Sequence, residues 1–154
     1  TDNWVEKGIG TYDVAIASRS LAVDDILRAI IKLNNAARKK VIITTIVGDG
    51  PHDRKIFQAA GRQYTPGIDY IYYYNLLYQA GIFANISFIT TENPKTFSNV
   101  KEACESVKWM LQDITDHENA LLEKFITDHL VETKEGLTMN YRKESTWAVM
   151  WWDK

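Results

Sequence analysis

His52 follows a run of β-branched residues and stands beside Asp49 and Asp53. An imidazole next to a carboxylate is a common arrangement for moving a proton near neutral pH. Such neighbours also arise by chance, so His52 is carried as a weak candidate base against an ordinary loop histidine. His117 and His129 fall on helical stretches and are expected at the surface. Arg62 and Tyr64 lie in a short polar segment, where they would either hold an anionic group or belong to a solvated loop. Tyr70, Tyr72, Tyr73, Tyr74 and Tyr78 recur along one helical stretch. They would line an acceptor pocket, with Tyr70 and Tyr74 as the candidates, or pack in the core with hydroxyls reaching outward. No Ser-His-Asp or Cys-His arrangement is apparent. The single cysteine, Cys104, rules out an intrachain disulfide and a cysteine zinc cluster, and no metal site is expected.

Elements that would position these residues can be read from periodicity. Tyr12 to Ala17 is a short apolar run, read as a strand buried on both faces. A helix is expected from Asp24 or Asp25, with Ile26, Leu27, Ile30, Ile31 and Leu33 on its apolar face and Arg38-Lys39-Lys40 at its end. Val41 to Val47 contains only Val, Ile and Thr and reads as the clearest strand. Gly48-Asp49-Gly50-Pro51 breaks it. Strand, helix and strand joined this way imply a right-handed parallel unit. A short helix over Asp53–Ala60, a helix over Ile68–Gln79 and a strand over Phe83–Thr90 follow. Further on come a helix that starts after Ser98 and runs to about Gln112 and a helix opened by the capping box Thr115-Asp116-His117-Glu118. Strands are expected over Leu137–Tyr141 and Ser145–Trp152. Along the last of these, Trp147 and Trp151 share one face and Trp152 takes the other. They are expected to pack against helices on both sides.

The chain has 154 residues, 45% of them hydrophobic and 25% charged, with a net charge of −2. That fits one globular domain over 1–154 and argues against a nucleic-acid partner held by bulk charge. No apolar run reaches membrane-spanning length, so no membrane partner is expected. A single cysteine and no signal peptide fit a cytoplasmic protein.

The order of these elements resembles the C-terminal half of a class I S-adenosylmethionine-dependent methyltransferase. The likeness rests on Tyr12-Asp13-Val14-Ala15-Ile16-Ala17-Ser18-Arg19-Ser20, on Ala37 to Thr44, and on Val47-Gly48-Asp49-Gly50-Pro51-His52-Asp53. It rests also on Asp69 to Leu77 and on the closing Thr146-Trp147-Ala148-Val149-Met150-Trp151-Trp152. The resemblance implies an α/β, Rossmann-like, three-layer partial sheet. Its strands would be ordered 4-5-7-6 in family numbering, the last antiparallel, with helices on both faces and a helical insertion over 91–136. The family's first three strands, with their glycine-rich loop and ribose-binding acid, would be absent. Gly8-Ile9-Gly10 precedes a strand rather than linking strand to helix, and Gly48-Asp49-Gly50 lacks a third glycine.

By the same resemblance Asn3 and Trp4 would hold the adenine of S-adenosylmethionine, with Asp2 as rival for the polar role. Ser18 and Arg19 would face its methionine moiety and methyl group. Asp49, Arg62, Tyr64, Tyr70 and Tyr74 would meet a small-molecule acceptor. The chain by itself is expected to bind the cofactor weakly or not at all and to be inactive. The alternative is a non-catalytic α/β module that binds a ligand or partner. The strand 12–17 is expected at a sheet edge, where it would pair with a second copy to form a homodimer.

Overall fold

The computed structural model describes residues 8–92 and 94–154. Asp2, Asn3 and Trp4 lie outside them. Two compact units emerge. One comprises the chain up to Gly50 with Ile68–Thr90 and Thr146–Lys154, and the other Pro51–Gly67 with Thr91–Ser145.

The first unit is a mixed sheet with two helices. Its strands are β1 (Tyr12–Ser18), β2 (Ala37–Val47), β3 (Asn85–Glu92) and β6 (Glu144–Asp153), in the order β1-β2-β6-β3. β1 runs parallel to β2, with Ile16 opposite Ile42. β6 is antiparallel to β2, with Ile43 opposite Met150 and Ile46 opposite Trp147. On the far side of β6, Thr90 Oγ1 meets Thr146 Oγ1 at 2.9 Å and Asn85 Nδ2 donates to the Trp151 carbonyl at 3.4 Å. The paired positions thus run in opposite senses. β1 is an edge strand, as the resemblance to a sheet without its first three strands implies; it is not buried on both faces, since Val14 and Ile16 are exposed.

Period-two alternation divides this sheet sharply. Ala15, Ala17, Val41, Ile43, Met150 and Trp152 share one face and are buried. Helices α1 (Ile26–Ala36) and α3 (Tyr70–Gln79) cover that face through Ile26, Ala29, Ile30, Leu33, Tyr73 and Leu77. Full burial of one such side chain as Ile30 contributes about 2–3 kcal/mol. The opposite face carries Ile42, Ile46, Trp147, Val149 and Trp151, all half-buried, while Val14 and Ile16 are 44% and 63% exposed. The expectation of helices on both faces is therefore corrected within this unit. Among its described residues both helices lie on one side. An apolar run shows that both faces are sticky; it does not say what covers them.

The start of β2 also differs from expectation. Arg38, Lys39 and Lys40 open the strand rather than close α1. Pairing with the neighbouring strands places them there, Ala37 opposite Tyr12 and Lys40 opposite Val14 and Asp153, and exposed ion pairs accompany it: Asp13 with Arg38 at 3.0 Å and Lys39 at 3.6 Å, and Asp153 with Lys40 at 3.2 Å. Asp25 caps α1 by accepting from the Arg28 amide at 2.9 Å.

The second unit has its own core. Helices α2 (Arg54–Ala59), α4 (Val100–Lys108) and α5 (Asp116–His129) pack with a hairpin of β4 (Leu130–Thr133) and β5 (Gly136–Met139). Ile56, Phe97, Ala103, Leu111, Leu122 and Ile126 form its buried centre. Phe97 adds a bridge to Leu137, with backbone bonds of 2.8 and 2.9 Å. The strand expected over Leu137–Tyr141 thus belongs to this hairpin. Its partner, Leu130–Thr133, follows a helix without a break and gives only a short β-branched signal. The capping box at Thr115 and Glu118 is present as read. His129, expected at the surface, is half-buried, its ring stacked on Phe125 at 4.0 Å. Among the described residues no helix is long and apolar enough to cross a membrane.

Candidate functional site

Two places gather polar groups over apolar surroundings, one in each unit. In the first unit it lies at the carboxyl ends of β1 and β2. In open α/β sheets this is where ligands bind. Ser18 Oγ and Thr44 Oγ1 are 3.0 Å apart across the two strands. Arg19 then donates its amide to the Thr44 carbonyl at 3.2 Å, extending the pairing by one step. Its φ of 54° is in the left-handed region, which a side chain with Cβ enters at a cost of about 1 kcal/mol. That turn brings the Arg19 guanidinium over the Trp147 ring, 4.0 Å from its centroid. Strain of this kind collects at functional sites.

Next to it, Gly48 and Gly50 have φ of 60° and 55°. Gly50 leaves no room for a Cβ, which would lie 2.7 Å from Ile46 Cγ2. The Gly48 amide donates to Asp69 Oδ2 at 2.9 Å, while Asp69 Oδ1 caps α3 at the Ile71 amide. The turn is thus fixed to the start of α3. Asp49 belongs to this unit. Tyr70 meets Phe88 edge-on at 5.2 Å, and Tyr74 packs against the core. Tyr73 is the buried tyrosine, and its hydroxyl donates to the Leu21 carbonyl at 3.3 Å. Burial pushes its phenol up, against a hydrogen bond with Thr45 that lowers it.

In the second unit, His52 sits in an aromatic group. Its ring lies 5.3 Å from Trp109, 5.7 Å from Tyr64 and 6.3 Å from Phe57. Asp53 is buried and doubly used. Its Oδ1 caps α2 at the Lys55 amide, and its Oδ2 accepts from the Tyr141 hydroxyl, both at 2.9 Å. Burial first, then the Asp53 carboxylate, push the Tyr141 phenol up, so it stays a neutral donor. Lys55 places its ammonium 3.9 Å from the Tyr141 ring centre. Arg62 holds Glu118 through two bonds, at 2.6 and 2.9 Å, and donates to the Gln112 and Asp113 carbonyls. Four donor contacts inside the unit describe a clamp between the segment after α2 and the start of α5. Under it the Glu118 carboxyl falls to about 2, through the Arg62 bond first and the Thr115 amide and hydroxyl after it.

Ser18 and Arg19 therefore come together with Thr44 and Trp147, while His52 and Tyr64 gather in the other unit with Trp109. Thr44 and Tyr141 carried no sequence signal of their own. Thr44 is one Thr in a β-branched run, and Tyr141 follows a hairpin with no motif. Cys104 is buried, and burial raises its thiol, which makes it inert. Among the described residues no cluster of His, Cys, Asp and Glu could hold a metal ion.

No family model matches the chain. An uncharacterised protein of Haemophilus influenzae is 34% identical over 153 residues, which is 99% of this chain and 55% of that relative. The chain thus spans about half the length of the curated relative it matches. Among solved structures, a Bacillus halodurans protein described as a candidate methyltransferase superposes with a TM-score of 0.51 at 8% identity. It covers 99% of this chain and 69% of that one. The crystal structure of MccD aligns with a TM-score of 0.41 at 8% identity, over 97% of this chain and 64% of the other. The fold is methyltransferase-like in part: a mixed four-stranded sheet with an added hairpin.

Proposed function

We propose that the chain is the C-terminal part of an S-adenosylmethionine-dependent methyltransferase acting on a small molecule, and that alone it transfers no methyl group. The observation that carries this reading is the order β1-β2-β6-β3 with antiparallel β6, ending in the Ser18, Thr44 and Arg19 constellation. The cofactor, when bound, supplies a methyl group on a sulfonium, open to in-line displacement. The Ser18 hydroxyl and the Arg19 guanidinium are donors of the kind that suit its carboxylate end. The fit is partial. Among the described residues the loop from β2 to α2 carries Gly48 and Gly50 but not the third glycine of the family's cofactor loop. Ser18 and Arg19 supply one wall, and no step is derived through the cofactor.

In this reading the enzyme's main task is holding the acceptor in line. Within the second unit His52, beside Tyr64, is the candidate base for an acceptor that must lose a proton. Within the first unit Asp49, Tyr70 and Tyr74 are the candidate acceptor contacts, while Arg62, in the second, acts chiefly as the clamp described above. The exposed β1 end of that sheet face, at Val14 and Ile16, would be covered by further elements of a longer protein. The edge strand β1 offers pairing to a second copy, a homodimer that light scattering at high concentration checks.

The test is calorimetric titration with S-adenosylmethionine. The isolated chain is expected to show no binding, and micromolar binding to it would contradict the reading. A gene product with an upstream strand–loop–helix unit is expected to bind at micromolar concentration, and Arg19→Glu to weaken it. If that longer product binds nothing, the non-catalytic binding module is the better description.

A further inference from the structure

The second unit encloses a cavity of about 640 Å³, within the range of roughly 300–1,000 Å³ common to small-molecule sites. Its lining comes from that unit alone. Ile56, Phe97 and Ile126, drawn from the buried core, form an apolar floor with Met110 and Met139 beside them. The two thioethers adapt readily to a guest's shape. A polar point interrupts the floor where the Tyr141 hydroxyl meets Asp53. Such a lining, mostly apolar with a few fixed polar groups, is that of a ligand site.

The charged lining decides the class of guest. Four cations, Lys95, Lys134, Arg142 and Lys143, stand against Asp53, Glu92 and Glu135. Glu92 is engaged by Arg142 at 2.9 Å, and Asp53 by Tyr141 and the α2 cap. Among the described residues Lys95, Lys134 and Glu135 make no ion pair, and the lining holds one more positive than negative group, so the cavity favours a negative guest. We propose that this cavity binds an organic anion with an apolar body. The body would lie against Phe97, Met110 and Met139, and the anionic group at Lys95 and Lys134. This goes beyond the methyl-transfer reading and does not depend on it, since the cavity is complete within one unit.

The experiment is a heteronuclear NMR titration of the full chain without S-adenosylmethionine. The probes are 3-phenylpropionate and, with the charge reversed, 3-phenylpropylammonium. Saturable shifts at Met110, Ile126, Met139 and the Trp109 indole are expected with the carboxylate, several-fold tighter than with the amine. Val107→Trp, which fills the cavity, should abolish them. The surface pair Lys95→Glu with Lys134→Glu should reverse the preference and leaves the apolar floor intact. Equal binding of both probes, shifts scattered away from the cavity, or no shifts at all would overturn the proposal.

Discussion

The two units spend their apolar residues differently. The sheet of the first has one face closed by α1 and α3 and the other lined by Ile42, Ile46, Trp147, Val149 and Trp151 at half burial. The second unit closes its helices and hairpin around Ile56, Leu122 and Ile126 and keeps a cavity inside. An apolar sheet face that its own unit's helices do not close, and that ends in the exposed Val14 and Ile16, suits a broad macromolecular cover. A cavity with an apolar floor calls for a small guest. The likeness to a methyltransferase fold bears on the first need. It says nothing of the second.

Substitutions on the two faces of one strand are the strongest way to break this contrast. Ile43→Ala removes a side chain with no exposed surface and should cost about 2–5 kcal/mol in urea unfolding. Ile42→Ala, one residue away on the open face, should cost less than about 1 kcal/mol. Equal losses would mean that the open face is covered after all. Gly50→Ala should destabilise the first unit by about 1–3 kcal/mol, since the new Cβ meets Ile46 and the backbone is left-handed. In the second unit, Tyr141→Phe leaves Asp53 Oδ2 without its donor. The expected loss is about 1–2 kcal/mol by thermal or denaturant unfolding.

Acid sharpens the contrast further. The Glu118 carboxyl moves from 4.5 to about 2 on folding. Its folded value is the lower one, so its contribution is complete above pH 4.5 and is lost as pH falls toward 2. Urea midpoints measured across that interval should show the loss, and Glu118→Gln should flatten it. The smallest effect belongs to Lys124→Ala, which removes an exposed pair with Asp128 and should change stability by no more than about 0.5 kcal/mol.

The elements most legible in the sequence were those whose signal is local. The β-branched run ending at Val47, the capping box at Thr115 and the helix cap at Asp25 each state their structure within a few residues. So did the place of β1 at an edge, once the order of elements was read as part of a larger sheet. What the sequence hid was long-range. Arg38 to Lys40 read as a helix end because the strands they pair with, β1 and β6, lie elsewhere in the chain. Leu130–Thr133 was assigned no strand because its partner β5 comes only after the turn. At the site, Ser18 and Arg19 were found by the strand they end. Thr44 and Trp147 join them through strand pairing and chain reversal, which no spacing reveals. The cavity is likewise built from segments before α2 and after β3, and its cations are scattered along the chain.

The position of β6 has a consequence for how the protein is made. It lies between β2 and β3, although both precede it in the chain. Until Glu144–Asp153 has emerged from the ribosome, β2 and β3 face an empty slot one strand wide, each with an unpaired edge. The larger part of the second unit, Thr91–Ser145, is synthesised between β3 and the completion of β6. Long-range pairing of this kind is slow and leaves edges available to other chains. Pulse-labelled hydrogen exchange is expected to show the β2 amides that face β6 protected in the same phase as β6, and those that face β1 no later.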